Sequence, residues 1–278
     1  FNGTAGVWRK TCIEDAGNWQ GDTLTEDLDL SYRAQLKKWK FKYLEEVETP
    51  AELPVVISAA RSQQFRWNKG AAENFQKLYW KLLMDKSVPF KTKFHSFFHL
   101  LNSSMFLLVL LVAVLSVPVM YIKNSNPMFS WYFNVIAFFA LSTVIFFFCY
   151  WHTFKKIHGG GFWNFLEYIK MFFTFFSIAM GFSVHNSMAV MEGHLGKKSE
   201  FVRTPKFNVK SLKDNWKGNK YINKNISGNT VIEALLMGYF GYALYSAFKL
   251  QDFGLFLFHI MLFFGFGFVF FKSITSKL

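Results

Sequence analysis

The chain has 278 residues, of which 52% are hydrophobic and 21% aromatic, and its formal net charge is +13. These values lie far from the average of a soluble domain and place the chain in the membrane class. Its two cysteines, Cys12 and Cys149, provide no disulfide framework, and the lysines and arginines are spread over loops without a nucleic-acid motif. The composition therefore predicts a membrane protein whose extramembrane mass is cytosolic, with membrane lipids and not nucleic acid as partners.

The first motif in chain order is the triplet Thr25-Glu26-Asp27, which opens a helix predicted over residues 25–38. Thr25 can cap the unpaired N–H groups at such a helix start, and the helix dipole favours an ionised carboxylate there. Taken alone, the triplet is better explained as an ordinary helix start.

A second motif, Gln63-Gln64-Phe65-Arg66-Trp67, forms a Q-x-x-R-W box. Its arginine lies three positions after its glutamine, and its tryptophan lies four positions after it. One helical turn therefore presents all three side chains on one face. A box of five residues is moderate evidence by itself.

Residues 71–86 then show a helical repeat of apolar side chains, formed by Phe75, Leu78, Tyr79, Leu82 and Leu83. An amphipathic helix of this kind can lie in the headgroup plane with its apolar stripe towards the lipid. We predict that the region 71–96 is interfacial, with a soluble helix packed on a core as the alternative.

Four later segments have the length of about 20 apolar residues that crossing a bilayer requires. They are residues 97–122, 128–151, 229–250 and 253–272. We therefore predict an α-helical, multi-pass membrane domain over residues 97–278.

A fifth apolar segment, residues 162–192, carries Glu167, Lys170 and Glu192 along its length. Charged residues facing lipid cost about 2.5–3.5 kcal/mol each at the bilayer centre. If this segment spanned, the loop 193–228 with its nine lysines and arginines would lie outside, against the positive-inside bias. We predict an interfacial or re-entrant helix and a cytosolic loop, with a fifth span as the alternative.

The triplet and the box together, with the opening stretch of residues 1–10, make the chain resemble the family 2 processive glycosyltransferases, which include cellulose, hyaluronan and mannan synthases. The resemblance covers residues 1–95 and is closest to the mannan and glucomannan synthase branch. It implies that residues 1–70 are the acceptor-side, C-terminal half of an α/β domain of GT-A type. Because the chain opens on Phe1 inside a dense motif, we expect it to be the C-terminal part of a longer protein.

The resemblance assigns catalysis to the triplet. Inverting transfer needs a carboxylate that removes the proton of the acceptor hydroxyl as its oxygen attacks the anomeric carbon. Asp27 is the candidate base, with Glu26 and Thr25 beside it, because a base must be charged and held near the proton.

The resemblance places the Q-x-x-R-W box at the acceptor end of the active site. Trp67 offers a flat face for a pyranose, and Arg66 offers a fork of donors for a diphosphate. Gln63 can bind sugar hydroxyls or orient neighbouring groups.

Residues 201–206 resemble the F-x-V-T-x-K gating loop of cellulose synthases, with Arg203 where a valine is expected. The resemblance implies that Phe201, Arg203, Thr204 and Lys206 close over the donor. A basic loop bound to anionic lipid is the alternative.

The function implied is transfer of sugar from a nucleotide-sugar donor, GDP- or UDP-linked, to a glycan or lipid acceptor. A divalent metal, Mg or Mn, is expected in the full-length enzyme, with ligands outside this chain, and the seven histidines show no metal-site spacing. The alternatives are a transferase that adds a single sugar to a lipid and a non-catalytic membrane subunit. The predicted location is a bacterial inner membrane, or a Golgi or plasma membrane in a eukaryote.

Overall fold

The computed structural model describes residues 3, 5–138, 141–204 and 228–275. In this part of the chain the regular structure is helical and no strand occurs. The helices are α1 (Lys10–Asp15), α2 (Glu26–Leu36), α3 (Ile57–Met84), α4 (Phe90–Leu101), α5 (Met105–Ser125), α6 (Ser130–Ala137), α7 (Leu141–His158), α8 (Phe162–Gly181), α9 (Ser183–His194), α10 (Gly228–Leu250) and α11 (Phe256–Thr275).

The α/β half-domain expected over residues 1–70 is not confirmed by the described part of that segment. It consists of α1, α2 and the first half of α3, joined by loops. The long loop between α2 and α3 is exposed over residues 40–51 and forms no strand, because it has no hydrogen-bonded ladder. The predicted helix at 25–38 is confirmed as α2.

The chain divides into two compact units. Unit 1 comprises Phe1–Leu108, Ser183–Ile226 and Lys272–Leu278, and unit 2 comprises Val109–Phe182 and Ser227–Phe271. Unit 1 is therefore assembled from stretches that are far apart in sequence, and it contains both motifs.

The apolar core of unit 1 lies between α2, α3 and α4. Its buried members are Leu28, Tyr32, Leu78, Leu82, Val88 and Leu100. Burial raises the pKa of Tyr32 to about 12, so its hydroxyl stays protonated, 2.7 Å from Nδ1 of His99. The apolar stripe of residues 71–86 thus packs on protein at Leu78 and Leu82, as in the alternative of an ordinary packed helix, and the interfacial placement of 71–96 remains a prediction.

Helix α9 packs along α3 in unit 1. A Cβ atom at Gly193 would lie 2.7 Å from both the Lys69 carbonyl oxygen and the Ala72 Cβ, so the glycine permits the close approach. His185 Nε2 lies 2.9 Å from the Arg61 carbonyl oxygen, earlier on both helices. The two helices therefore run parallel.

Among the described residues, three helical stretches are long and apolar enough to cross a membrane: Phe90–Ser125, Gly228–Leu250 and Phe256–Thr275. They contain the predicted spans 97–122 and 229–250 and overlap most of the predicted span 253–272. The fourth, 128–151, falls on α6 and α7 and includes residues 139 and 140, which lie outside the described part. The segment 162–192 is broken at Phe182 into α8 and α9, which pass the same length and hydropathy test only as a pair.

Within unit 2, the helices are joined by close packing and a few hydrogen bonds. A Cβ atom at Gly181 or Gly265 would collide with the backbone of the other helix, so α8 and α11 touch closely. Ser116 Oγ lies 2.8 Å from His259 Nε2, and the Tyr239 hydroxyl donates to the Val114 carbonyl oxygen at 2.6 Å. An aromatic cluster of Phe154, Tyr168 and Phe172 joins α7 to α8.

Candidate active site

The triplet at the start of α2 is held by a side chain of α3. The Asn74 amide nitrogen lies 2.9 Å from Thr25 Oγ1 and 3.1 Å from the Thr25 carbonyl oxygen, and Asn74 is fully buried. Thr25 occupies the N-cap position of α2 but makes no capping hydrogen bond with its side chain. The predicted cap is therefore wrong, because the hydroxyl is used to join the two helices.

Gly70 permits this contact. A Cβ atom there would lie 2.6 Å from Thr25 Oγ1 and 2.8 Å from the Thr25 backbone nitrogen. Arg66 precedes Gly70 by one helical turn, about 6 Å along the axis, on the same side of α3. The fold thus places the start of the triplet helix about one turn from the Q-x-x-R-W box.

A network of charges around the buried Asp29 fixes the same region. Lys77 Nζ lies 2.9 Å from Asp29 Oδ1 and 2.7 Å from Asp22 Oδ1, and its hydrogen bond holds the pKa of Asp22 below the usual range. Asp29 is fully buried and also pairs with Arg33 at 2.7 Å. The backbone N–H of Leu24 donates to the carboxylate of Glu73. Because buried charges are stable only when paired, this network makes the region before and after the triplet rigid.

The predicted base, Asp27, is half-buried one residue into α2. Its carboxylate lies against the backbone of Gly3, whose φ of +89° suits glycine and where a Cβ atom would collide with Oδ2. Within the described part of the chain Asp27 forms no hydrogen bond or ion pair. Its oxygens therefore have the capacity to accept a proton from a ligand. Glu26 is also half-buried.

The Q-x-x-R-W box lies in the first half of α3. Trp67 is 42% exposed. Arg66 Cζ lies 4.7 Å above the ring centroid of Phe201, and among the described residues Arg66 makes no hydrogen bond or ion pair. Gln63 is half-buried one turn earlier. Gln63 is thus followed on α3 by an arginine whose donors have no hydrogen-bond partner among the described residues and by a partly exposed aromatic ring.

The predicted gating segment reaches the box through Phe201, which contacts Arg66. Arg203 is exposed, and the hydroxyl of Thr204 is buried without a hydrogen-bond partner in the described residues. Lys206 lies outside the described residues. Of the three predicted gating residues that the structure describes, it brings Phe201 onto the box.

A model of the family described as glycosyl transferase family group 2 matches residues 1–151, which is more than half of the chain. The chain belongs to glycosyl transferase family group 2. The recognition drawn from the two motifs is confirmed, and both motifs lie inside the matched region.

Plant proteins named as glucomannan 4-beta-mannosyltransferases, some of them as probable ones, match about a third of the chain. Probable glucomannan 4-beta-mannosyltransferase 3 of Oryza sativa subsp. japonica is 50% identical over 95 residues, which are 34% of this chain and 17% of that protein. Glucomannan 4-beta-mannosyltransferase 1 of rice is 46% identical over 95 residues, 34% of this chain and 18% of that protein. Glucomannan 4-beta-mannosyltransferase 9 of Arabidopsis thaliana is 44% identical over the same shares. The matched part thus spans less than a fifth of these relatives, and no solved structure matches the chain.

The family 2 resemblance implies a divalent metal, and the described residues do not provide a site for one. They contain no group of three or more histidine, cysteine, aspartate or glutamate side chains that could hold a metal ion. Asp22 and Glu73, two further carboxylates of this region, are engaged by Lys77 and by the Leu24 N–H.

Sequence reasoning missed the part of this family 2 site that lies beyond the box. Gly70, Glu73, Asn74 and Lys77 continue the spacing of three and four residues that starts at Gln63, and together they hold the segment around the triplet. The apolar repeat of residues 71–86 drew attention to the opposite side of the same helix. Extending the periodicity of the box through Gly70 was the signal that could have found them.

Proposed function

We propose that this chain is the acceptor-side part of a membrane-embedded, inverting glycosyltransferase that adds a sugar from a nucleotide-sugar donor to the end of a growing β-glycan. The observation that carries the proposal is the docking of the triplet helix on the box helix through Gly70 and Asn74. The similarity to glucomannan 4-beta-mannosyltransferases supports mannose as the sugar.

In this proposal Asp27 takes the proton of the acceptor hydroxyl while the oxygen forms its bond to the anomeric carbon. The bond from that carbon to the nucleoside diphosphate breaks, and the diphosphate leaves with the electron pair. Asp27 lies in the first turn of α2. The triplet therefore supplies the proton acceptor, with Glu26 and Thr25 directly beside it.

The box orients the two partners of the reaction. The exposed ring of Trp67 stacks on the acceptor sugar, and the unused donors of Arg66 neutralise the leaving diphosphate. Gln63 binds acceptor hydroxyls. No step of the proposal runs through the expected divalent metal, because the described residues offer no ligand set for it.

The finer architecture is proposed on the same basis. Residues 1–70 contribute helices to an α/β domain of GT-A type, and the apolar helices place the protein in a membrane with the site on the cytosolic face. The predicted topology, with 162–192 interfacial and the basic residues after it cytosolic, follows from the positive-inside bias. Phe201, Arg203 and Thr204 belong to a segment that covers the donor.

The test is sugar transfer by the full-length protein in isolated membranes, with radiolabelled GDP-mannose and UDP-glucose as donors and a β-mannanase digest of the product. We expect incorporation from GDP-mannose into a polymer. Asp27→Asn reduces it by about 10²- to 10⁴-fold, the usual contribution of a general base. Asp85→Asn, a half-buried carboxylate beyond the end of α3, is the matched control and retains activity.

Activity of Asp27→Asn within threefold of wild type would refute the assignment of the base. A single-sugar glycolipid as product would replace the polymer synthase by a lipid-directed transferase. Absence of transfer by the wild-type full-length protein from either donor would favour a non-catalytic subunit.

A further inference from the structure

Lys69, two residues after the box, is fully buried. Its Nζ lies 3.1 Å from the Glu192 carboxylate on α9 and also contacts the Ser199 hydroxyl. Its Nζ is further 5.6 Å from the ring centroid of Phe65. A lysine that gives up its hydration needs partners of this kind, so the contacts to α9 and to Ser199 are strongly held.

Glu192 connects this lysine to the residues that follow α9. One carboxylate oxygen accepts from Lys69, and the other lies 2.6 Å from Lys197 Nζ. Lys197 and Ser199 both belong to the segment 197–204, which has no regular secondary structure. Lys69 and Glu192 thus fix the beginning of that segment at two positions.

The same segment makes a second contact with α3, at Phe201. Its ring lies against Arg66, which precedes Lys69 by three residues on the same helix. Phe201 is exposed, and a cation–π contact at an exposed site is weak compared with a buried ion pair. The segment is therefore held firmly at its start by Lys69 and loosely at Phe201.

We propose that Lys69 is a positioning residue that anchors residues 197–204 on the Q-x-x-R-W helix and, through Phe201, sets the position of the Arg66 guanidinium. The role of Arg66 in holding a nucleoside diphosphate rests on the proposed function, whereas the anchor itself does not. Lys69 is too buried to touch a ligand, so it acts on the donor only through the segment.

Hydrogen exchange of the full-length protein in lipid nanodiscs tests the anchor. Lys69→Met keeps the length of the side chain and removes its charge, and we expect amide exchange across 197–204 to rise about tenfold, as for loss of a charged hydrogen bond. Exchange at Leu78 and Leu82 in the core of α3 stays unchanged. Lys81→Met, an exposed lysine on the same helix, is the matched control and leaves 197–204 as in wild type.

Unchanged exchange across 197–204 in Lys69→Met overturns the proposal. If Lys69→Met also loses protection in the core of α3, Ser199→Ala decides the question, because Ser199 is exposed and its substitution removes only one partner of Lys69. A several-fold rise confined to 197–204 supports the anchor, and no rise refutes it.

A kinetic measurement separates positioning from a general structural role. We expect Lys69→Met to raise the KM for the nucleotide sugar about tenfold with the acceptor KM unchanged. A loss of kcat with both KM values intact would mean only that less protein is folded, and it contradicts the positioning role. If the wild-type protein transfers no sugar, the proposed function fails while the exchange experiment still decides whether Lys69 anchors the segment.

Discussion

Units 1 and 2 keep their helices together by different means. In unit 1, buried charges such as Asp29 and Lys69 are paired, and a fully buried amide at Asn74 joins two helices. In unit 2, large apolar side chains such as Phe146 and Phe148 of α7 remain exposed, and α8 meets α11 at glycines.

This difference indicates which contacts determine the packing geometry of each unit. Where water is the solvent, a buried polar group without a partner is costly, so each pair in unit 1 fixes one geometry. Where lipid is the solvent, apolar surface gains little from leaving it, so close backbone approach at small residues determines packing. The exposed apolar surface of unit 2 supports its proposed place in a bilayer.

The largest loss of activity is expected from adding one methyl group at Gly70. In Gly70→Ala the new Cβ meets the Thr25 side chain and backbone, so the start of α2 must move. A displacement of about 1 Å at a catalytic group costs about 10²-fold in rate, and overpacking costs about 1–3 kcal/mol of stability. Sugar transfer and thermal unfolding of the full-length protein measure both.

Gly238→Ala is the control from the other unit, because nothing lies within 4 Å of the position of its Cβ. We expect it to keep full activity and to gain slightly in helix stability. Equal losses in the two variants would show that the docking of the triplet on α3 has no special place in activity.

A smaller effect is expected from Trp67→Ala. Loss of stacking weakens use of the acceptor by about 1–2 kcal/mol, a factor of about 5–30, and leaves nucleotide affinity nearly intact. Acceptor saturation curves and nucleotide binding, compared with Trp80→Ala on the same helix, measure it. If Trp67→Ala reduces both affinities equally, Trp67 is a packing residue.

The smallest effects concern the loss of one hydrogen-bonding side chain in each unit. Ser116→Ala in unit 2 removes the hydroxyl beside His259, and hydrogen bonds between membrane helices are worth about 0.6 kcal/mol on average. Asn74→Leu in unit 1 leaves buried groups of Thr25 without a donor and costs about 1–3 kcal/mol. Unfolding of the two variants in the same detergent compares them, and a larger cost for Ser116→Ala contradicts the distinction.

Local patterns in the sequence predicted the features that depend on local physics. The apolar stretches at 229–250 and 253–272 correspond to α10 and α11, and the helix opened by the triplet corresponds to α2. Both motifs identified the family correctly. These features follow from hydrophobic length and residue type, which a sequence displays directly.

The features that the sequence did not reveal depend on contacts between residues that are far apart in the chain. The box and the amphipathic stretch were treated as separate, yet they form the single helix Ile57–Met84. Thr25 has the residue type of a helix cap, but Asn74 competes for its hydroxyl from 49 residues away. Lys69 is buried beside Glu192, which lies 123 residues later in the chain. Such contacts are decided by packing, which periodicity does not encode.

The parallel pairing of α9 with α3 has a consequence for the order of assembly. Lys69 meets Glu192 across 123 residues, and residues 109–182 of unit 2 lie between them in sequence. Closing so long a loop is slow, and α9 is synthesised only after the first helices of unit 2 have left the ribosome. Until then Lys69 lacks its partner Glu192. The box helix therefore reaches its final environment only once the apolar helices before α9 have been made.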